Sequence, residues 1–165
     1  MSISQSFSRW LAPALAAVAG VVVTAGFFLL NPRLTLAAAQ LNPKAISYKL
    51  PDQIQWRETK SGSQEAVLLG DPSKPGLYII LVKWLAHRMS HPHFHPNDRF
   101  AMVVSGTWWV GTGPKFDPDN TVPVPAGTFA THYGKQIHYD GAKDQDVVIE
   151  IVGQGPETAT AAEQK

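Results

Sequence analysis

Apolar residues alternate with polar ones in a series of short segments between residues 42 and 153. Turn-forming residues end the segments, as at Pro51-Asp52. Because successive side chains point to opposite faces of a β-strand, the pattern predicts many short strands joined by turns. No long helical period interrupts them, which favours an antiparallel sandwich or a closed barrel. The predicted strands cover residues 45–50, 53–57, 65–69, 76–85, 98–105, 107–110, 121–124, 128–133, 136–139 and 147–152, and we expect 128–133 and 136–139 to form a hairpin.

The first forty residues follow a different pattern. An uncharged apolar run extends from Trp10 to Leu30 after Arg9, and Ala37-Ala38-Ala39 then offers an A-x-A cleavage site, as in a secretory signal peptide. The run is also long enough to span a bilayer, so a retained membrane anchor over residues 10–30 stays open. Both interpretations predict an exported, periplasmic domain, which would touch the membrane only through an uncleaved N-terminal segment. The predicted organisation is a signal or anchor over residues 1–39, a β-barrel over 42–153 and a loose polar tail over 154–165.

Charge and cysteine content exclude several classes of function. The formal net charge is +1, and no basic stripe with interleaved aromatic residues is present, so we expect no nucleic-acid partner. The chain contains no cysteine, which rules out disulfides, thiolate metal sites and a cysteine nucleophile. The remaining candidate chemistry is carried by histidine.

All six histidines lie between residues 87 and 138. In His93-Phe94-His95 the two imidazoles are two positions apart, so a strand would direct both into one space while Phe94 faces the other way. Pro92 and Pro96 bracket the pair and stiffen the backbone. Prealigned neutral imidazoles suit a metal ion. The alternative is a solvated loop in which the histidines occur by chance.

Two spaced motifs resemble the two conserved motifs of the cupin superfamily. The resemblance implies an all-β, double-stranded β-helix (a jelly-roll barrel) that holds one divalent metal ion on His93, His95 and His138. It also implies a small-molecule substrate and a homodimer. The motifs are His93-x-His95-x3-Arg99-x6-Gly106 and Gly127-x5-Tyr133-x-Lys135-x2-His138.

The chain departs from the family pattern at a position that affects the metal. Arg99 stands where cupins commonly carry a glutamate ligand, and only a β-bulge would bring the adjacent Asp98 to the same face. A cationic side chain near a metal ion is repulsive unless an anion lies between them. We therefore predict that Arg99 binds an anionic or enolate substrate group, with a surface ion pair as the alternative. The other departures are His87, in place of the glycine that opens the first motif, and Tyr133 and Lys135, in place of a proline and a glycine of the second.

His132 is the second candidate catalytic residue. It could support a ligand, act as a general base or bind the metal, and a hydrogen-bonded histidine in the strand wall is the alternative. The resulting hypothesis is an exported enzyme acting on a small anionic or dicarbonyl substrate, most simply an Fe(II) dioxygenase. A lyase, isomerase or decarboxylase is also compatible, and so is Zn, Mn, Ni or Cu, since imidazole accepts all of these metals. A non-catalytic binding or sensing barrel is the alternative function, and a metal-free structural barrel is the third.

Overall fold

The computed structural model describes residues 41–164, so the predicted signal or anchor over residues 1–39 lies outside the described part. Within that part, no helix has the length and apolar composition needed to cross a membrane. The chain divides into two units, Met1–Ala45 and Ile46–Lys165, and the second carries every strand described below. A 3₁₀ turn over Pro51–Gln53 precedes strands β1 Arg57–Glu58, β2 Gln64–Leu69, β3 Gly76–Trp84, β4 His93–Phe94, β5 Arg99–Ser105, β6 Thr107–Thr112, β7 Val122–Pro125, β8 Phe129–His132, β9 His138–Gly141, β10 Val147–Gly155 and β11 Thr160–Ala161.

The strands form two antiparallel sheets, which confirms the predicted all-β class. One sheet has the order β1-β2-β3-β10-β5-β8, and the other has the order β11-β4-β9-β6-β7. Their inner faces share one apolar cluster, in which Ile80 and Ile149 of the first sheet lie with Trp108 of the second. Burial alternates along β5 and β10, as expected for strands with one face on the core.

Three predictions about the strands are wrong, and the first is the strand over 53–57, of which only Arg57 is in a strand. Residues 45–50 form no strand, and all of them are exposed, so the alternation there has no buried face. Residues 128–133 and 136–139 form no hairpin either, because β8 pairs with β5 while β9 pairs with β4 and β6. The chain changes sheets between them, through a turn in which Lys135 has φ 63° and the Gly134 N–H donates to Asp98 Oδ1 at 2.7 Å. His132 and His138 therefore enter the interior from opposite sheets.

The C-terminal residues differ from the expected loose tail. Strand β10 continues to Gly155, beyond the predicted end at residue 152, and β11 adds an edge strand beside β4. Thr160 pairs with Phe94, and Ala161 pairs with His93. Small polar residues indicated a solvated tail, but backbone pairing to another strand needs no apolar side chain and leaves little trace in the sequence.

Candidate metal centre

Three imidazoles meet between the two sheets. His93 and His138 are directly opposite each other in the β4–β9 pair, and their ring centroids are 4.6 Å apart. His95 lies one residue past β4 on the same face as His93, with its ring 4.9 Å from the ring of His93 and 5.4 Å from that of His138. Nitrogen atoms of the three residues all lie within 4.8 Å of one another. The predicted trio could therefore hold a metal ion.

The hydrogen bonds of the three rings prepare their outer nitrogens for a cation. Each Nδ1 contacts a backbone carbonyl oxygen, which can only accept, so each Nδ1 carries the proton and each Nε2 keeps its lone pair. The Nε2 atoms of His93 and His95 are only 3.1 Å apart. Nitrogens bound to one ion at ~2.1 Å lie about 3.0–3.4 Å apart at octahedral to tetrahedral angles, so the spacing suits a metal between them. The carbonyl contacts are His93 Nδ1 to His91 O at 2.8 Å, His95 Nδ1 to Thr158 O at 2.9 Å and His138 Nδ1 to Gln136 O at 3.1 Å.

Burial favours the uncharged form of His95 and His138, which is the form that binds a metal. Desolvation, reinforced by the charge of Arg99, lowers the pKa of His95 to about 2. Desolvation also lowers the pKa of His138, although the nearby Asp140 carboxylate opposes this shift. Within residues 41–164 the His138 Nε2 atom is buried without a hydrogen-bond partner, which a bound cation would correct.

His132 lies beside the trio but has the opposite tautomer. Its ring stacks on His138 at 4.1 Å between centroids, and its Nδ1 is 3.0 Å from Arg99 Nη2. Guanidinium can only donate, so His132 Nδ1 accepts and its proton lies on Nε2. Desolvation holds the pKa of His132 well below its usual value, so the ring is neutral. This tautomer is a proton donor toward the interior and not a fourth ligand. Its role in catalysis stays a prediction.

Arg99 is buried and already has an anionic partner. Its Nη1 donates to Glu157 Oε1 at 2.7 Å, and 7% of its side chain is exposed, so the expected surface ion pair is not what the structure shows. Glu157 lies in the segment that the sequence indicated as a loose tail, and no local motif marks it. Burial raises the pKa of Glu157, while Arg99 opposes that shift. The chain itself thus supplies Arg99 with a carboxylate counter-ion.

The two aspartates near the motifs have different positions. Asp98 is exposed and accepts the Gly134 N–H, so no bulge brings it to the metal centre. Asp140 is 5% exposed, with Oδ2 3.9 Å from the His138 Nε2 atom. Together with His138, Asp140 and His132 form a second potential ligand group, but the tautomer of His132 argues against it. Sequence analysis did not select Asp140 as a cavity residue, although its spacing from His138 places both on one face of β9.

A cavity of about 540 Å³ opens beside His93 and His95. Apolar side chains of the first sheet, including Trp84 and Ile149, form one wall, while Arg99, Asp140 and Glu157 supply charged groups. A second cavity of about 450 Å³ lies beside His132 and Trp108. The adjacent Trp109 faces the other way, with its ring 4.1 Å from Lys143 Nζ, as strand alternation predicts. The first cavity is large enough for a small organic molecule.

Comparisons with known proteins place the fold. No protein-family model and no curated protein matches the sequence. The structure is similar to the polyketide cyclase RemF from Streptomyces resistomycificus, at 15% identity over 73% of this chain and 87% of that one, with a TM-score of 0.59. It is also similar to a sugar phosphate isomerase of the cupin superfamily from Silicibacter pomeroyi, at 18% identity over 72% and 83% of the two chains and a TM-score of 0.56.

A third similar structure is described by its fold alone. It is a conserved protein from Klebsiella pneumoniae with a double-stranded β-helix domain, 16% identical over 72% of this chain and 97% of that one, with a TM-score of 0.53. At such identities the likeness shows the fold and leaves the activity open. The fold of residues 46–164 is therefore the cupin-type double-stranded β-helix that the two motifs predicted.

Proposed function

We propose that this cupin-fold protein is a metal-dependent enzyme acting on a small dicarbonyl or anionic organic substrate, in the form of an Fe(II) dioxygenase. One observation carries the proposal. Three imidazoles, each fixed by an Nδ1–H···O=C contact, bring nitrogen atoms within 4.8 Å of one another beside a cavity that is partly apolar. Such contacts set the tautomer and basicity of metal-binding histidines.

The metal would act as a Lewis acid toward a substrate oxygen, because three neutral ligands leave coordination positions open. The chain provides the proton transfers. Asp140 is the cavity carboxylate best placed to accept a proton, since Glu157 is paired with Arg99 and Glu65 is paired with Arg57. His132 Nε2–H is a buried donor with no acceptor in the described part of the chain. A substrate with an acidic C–H beside a carbonyl would use both groups.

The Arg99–Glu157 pair narrows the substrate class. Because Glu157 already neutralises Arg99, the guanidinium would attract a strongly anionic substrate less than a free arginine would. Arg99 Nε is nevertheless buried without a partner among the residues that the structure describes, and it could still donate to a neutral carbonyl oxygen. Within the proposal, a dicarbonyl substrate is therefore favoured over a highly charged one.

Elemental analysis tests the metal site. We expect about one divalent ion per chain after purification from the native host, with Fe(II) favoured over Zn, Mn, Ni and Cu. The variants His93→Ala and His138→Ala should lose the ion, whereas His87→Ala, outside the trio, should keep it. Full occupancy in the first two variants, at unchanged fold by circular dichroism, would exclude the ligand assignment.

Oxygen uptake with a panel of 1,3-diketones and 2-oxo acids tests the reaction. Substrate-dependent uptake that requires the metal supports a dioxygenase. Metal-dependent turnover without oxygen would support a lyase, cyclase or isomerase instead. Asp140 as proton acceptor and His132 as proton donor are equally suited to these reactions. Saturable binding without turnover would support the non-catalytic alternative. Two resolved fold neighbours, a polyketide cyclase and a sugar phosphate isomerase, make the non-oxidative outcome the second candidate.

Export and self-association belong to the same proposal. We expect N-terminal sequencing of the protein from its native host to start near residue 40 if the signal is cleaved, and at residue 1 or 2 if the anchor is retained. Sedimentation of the domain starting at residue 41 should show a homodimer. A monomer at micromolar concentrations would remove that part of the proposal.

A further inference from the structure

The last described residues, 156–164, which we call the C-terminal strap, cross the metal centre and, besides the Arg99–Glu157 ion pair, are held at six points along their length. Glu157 N–H donates to Pro72 O at 2.6 Å, where the strap leaves β10. Three later contacts join the end of the strap to the segment before β4 and to the loop after β6. The Ala162 N–H donates to Pro92 O at 2.9 Å, Glu163 Oε2 is 2.9 Å from His91 Nδ1, and the Gln164 N–H donates to Pro114 O at 2.9 Å. The other two points are the pairing of β11 with β4 and the Thr158 carbonyl at His95.

From these contacts we infer that the strap is a positioning element of the metal centre, so that metal binding and docking of the strap stabilise each other. The inference rests on the proposed metal site. It assigns the strap no ligand atom. The strap acts through the side chains of His93, His95 and Arg99, each by a different contact.

The first contact is with His95. Its Nδ1–H donates to the carbonyl oxygen of Thr158, and among the described residues no other acceptor is bonded to this nitrogen. Without that carbonyl, the proton could move to Nε2 and occupy the lone pair that the metal needs. Outer-sphere partners of this kind typically change metal affinity by about 10–100-fold.

The second contact is with the strand that carries His93. Strand β4 is two residues long, and its pairing with β9 consists of the single pair His93–His138. Strand β11 pairs with both residues of β4, Thr160 with Phe94 and Ala161 with His93. Most of the backbone pairing that holds His93 in register therefore comes from the strap.

The third contact is electrostatic. Glu157 neutralises Arg99, whose charge would otherwise oppose a cation on the neighbouring imidazoles. Glu157 Oε1 is also 4.0 Å from His95 Nδ1, so the carboxylate lies on the side of the ring away from the metal position. Undocking the strap would thus leave an uncompensated buried cation beside the centre.

Two shortened chains separate this role from general stabilisation. One ends after Gly155 and lacks the whole strap; the matched control ends after Ala161 and keeps Glu157, Thr158 and β11. Zn²⁺ affinity is measured by competition with a chromophoric chelator, and the Co²⁺ absorption spectrum reports the coordination geometry. We expect the first chain to bind Zn²⁺ about 10–100-fold more weakly, with an altered Co²⁺ spectrum, and the control to bind within about threefold of the full chain.

The inference is overturned if the chain ending at Gly155 keeps its β-sheet circular dichroism and binds Zn²⁺ as tightly as the full chain. If that chain fails to fold, hydrogen exchange on the full chain decides. Zn²⁺ should slow exchange of the Glu157 and Ala162 amides at least tenfold while leaving unchanged the Gly127 amide, which donates to Val103 O and lies outside the lining of both cavities. Bound Zn²⁺ with no change at Glu157 and Ala162 would refute the coupling, because linkage must act in both directions. A full chain that binds no Zn²⁺ would instead defeat the metal site itself.

Discussion

At the scale of single residues, the identity of each hydrogen-bond partner decides what a histidine can do. His95 and His132 are both buried, neutral and close to His138. His95 meets a carbonyl and so exposes a lone pair, whereas His132 meets a guanidinium and so presents a proton. The same side chain is thus a candidate ligand in one place and a candidate acid in the other.

Replacing Arg99 tests the buried network around His132. We expect Arg99→Gln to lower the free energy of unfolding by about 3 kcal/mol, because the buried Glu157 carboxylate loses its counter-ion. The matched control is Arg57→Gln, which breaks an ion pair whose arginine is 64% exposed and should cost at most about 1 kcal/mol. Urea unfolding monitored by fluorescence measures both. An equal loss of unfolding free energy in the two variants would show that the buried Arg99 pair contributes no more to stability than the exposed Arg57 pair.

Asp140 tests the proposed proton acceptor. Asp140→Asn keeps the shape of the side chain but removes its basicity, so turnover of the best substrate should fall by roughly 10²–10⁴-fold. Metal content should stay near that of the unchanged protein, since Asp140 lies outside the three-imidazole group. Asp98→Asn, on the exposed side of the sheet, is the control and should retain activity. Loss of the metal from Asp140→Asn would instead make Asp140 a ligand.

At the scale of elements, β9 connects packing to the metal centre. His138 and Asp140 face inward, and Tyr139 between them covers Gly111 of the neighbouring strand β6, to which it is directly paired. A Cβ on Gly111 would lie 2.2 Å from the Tyr139 ring, so only glycine fits there. The ring is further held by Tyr139 OH, which donates to Asp117 O at 3.0 Å.

Gly111→Ala should therefore disturb the site from a distance. We expect a loss of about 1–3 kcal/mol in unfolding free energy, because the Tyr139 ring must move to relieve the overlap. We also expect weaker metal binding, since His138 precedes Tyr139 on the same strand. Thermal and urea unfolding, together with Zn²⁺ titration, measure the two effects. Thr112→Ala, at the exposed neighbouring position, should change stability by less than about 0.5 kcal/mol, and a Gly111→Ala variant as stable as Thr112→Ala would contradict the account.

At the scale of the whole molecule, burying histidines makes stability depend on pH. Desolvation lowers the pKa of His95 to about 2 and also lowers the pKa of His132 and His138. In the unfolded chain these rings take up protons near pH ~6.5. Below that pH the unfolded state binds more protons than the folded state, so the folded state loses stability as the pH falls.

We expect the metal-free protein to lose up to about 1.4 kcal/mol per pH unit for each of the three histidines between pH ~6.5 and the folded pKa values. Urea unfolding in EDTA at several pH values measures the slope. His132→Asn should reduce the slope by about one proton, because one of the three groups is removed. Stability that stays level or increases from neutral pH to pH ~5 would contradict the assigned burial of these rings.

The sequence by itself determined the all-β class, most strand positions and the shared direction of His93 and His95, whereas His138 was added only through the resemblance to the cupin motifs. It could do so because side-chain alternation and the His93-x-His95 spacing are local properties that a strand converts directly into direction. Alternation also puts the adjacent Trp108 and Trp109 on opposite faces of β6, with Trp108 in the core and Trp109 against Lys143.

Only the tertiary structure decided how the centre is completed. The Thr158 carbonyl and Glu157 are 63 and 58 residues away in sequence from the groups they contact, His95 and Arg99, and backbone pairing to β11 leaves no compositional mark. The change of sheet between β8 and β9 could not be predicted either, since a hairpin turn and a connection between two sheets can have the same glycine-containing sequence. Contacts between distant segments depend on the packing of the whole chain, and no local pattern in the sequence records them.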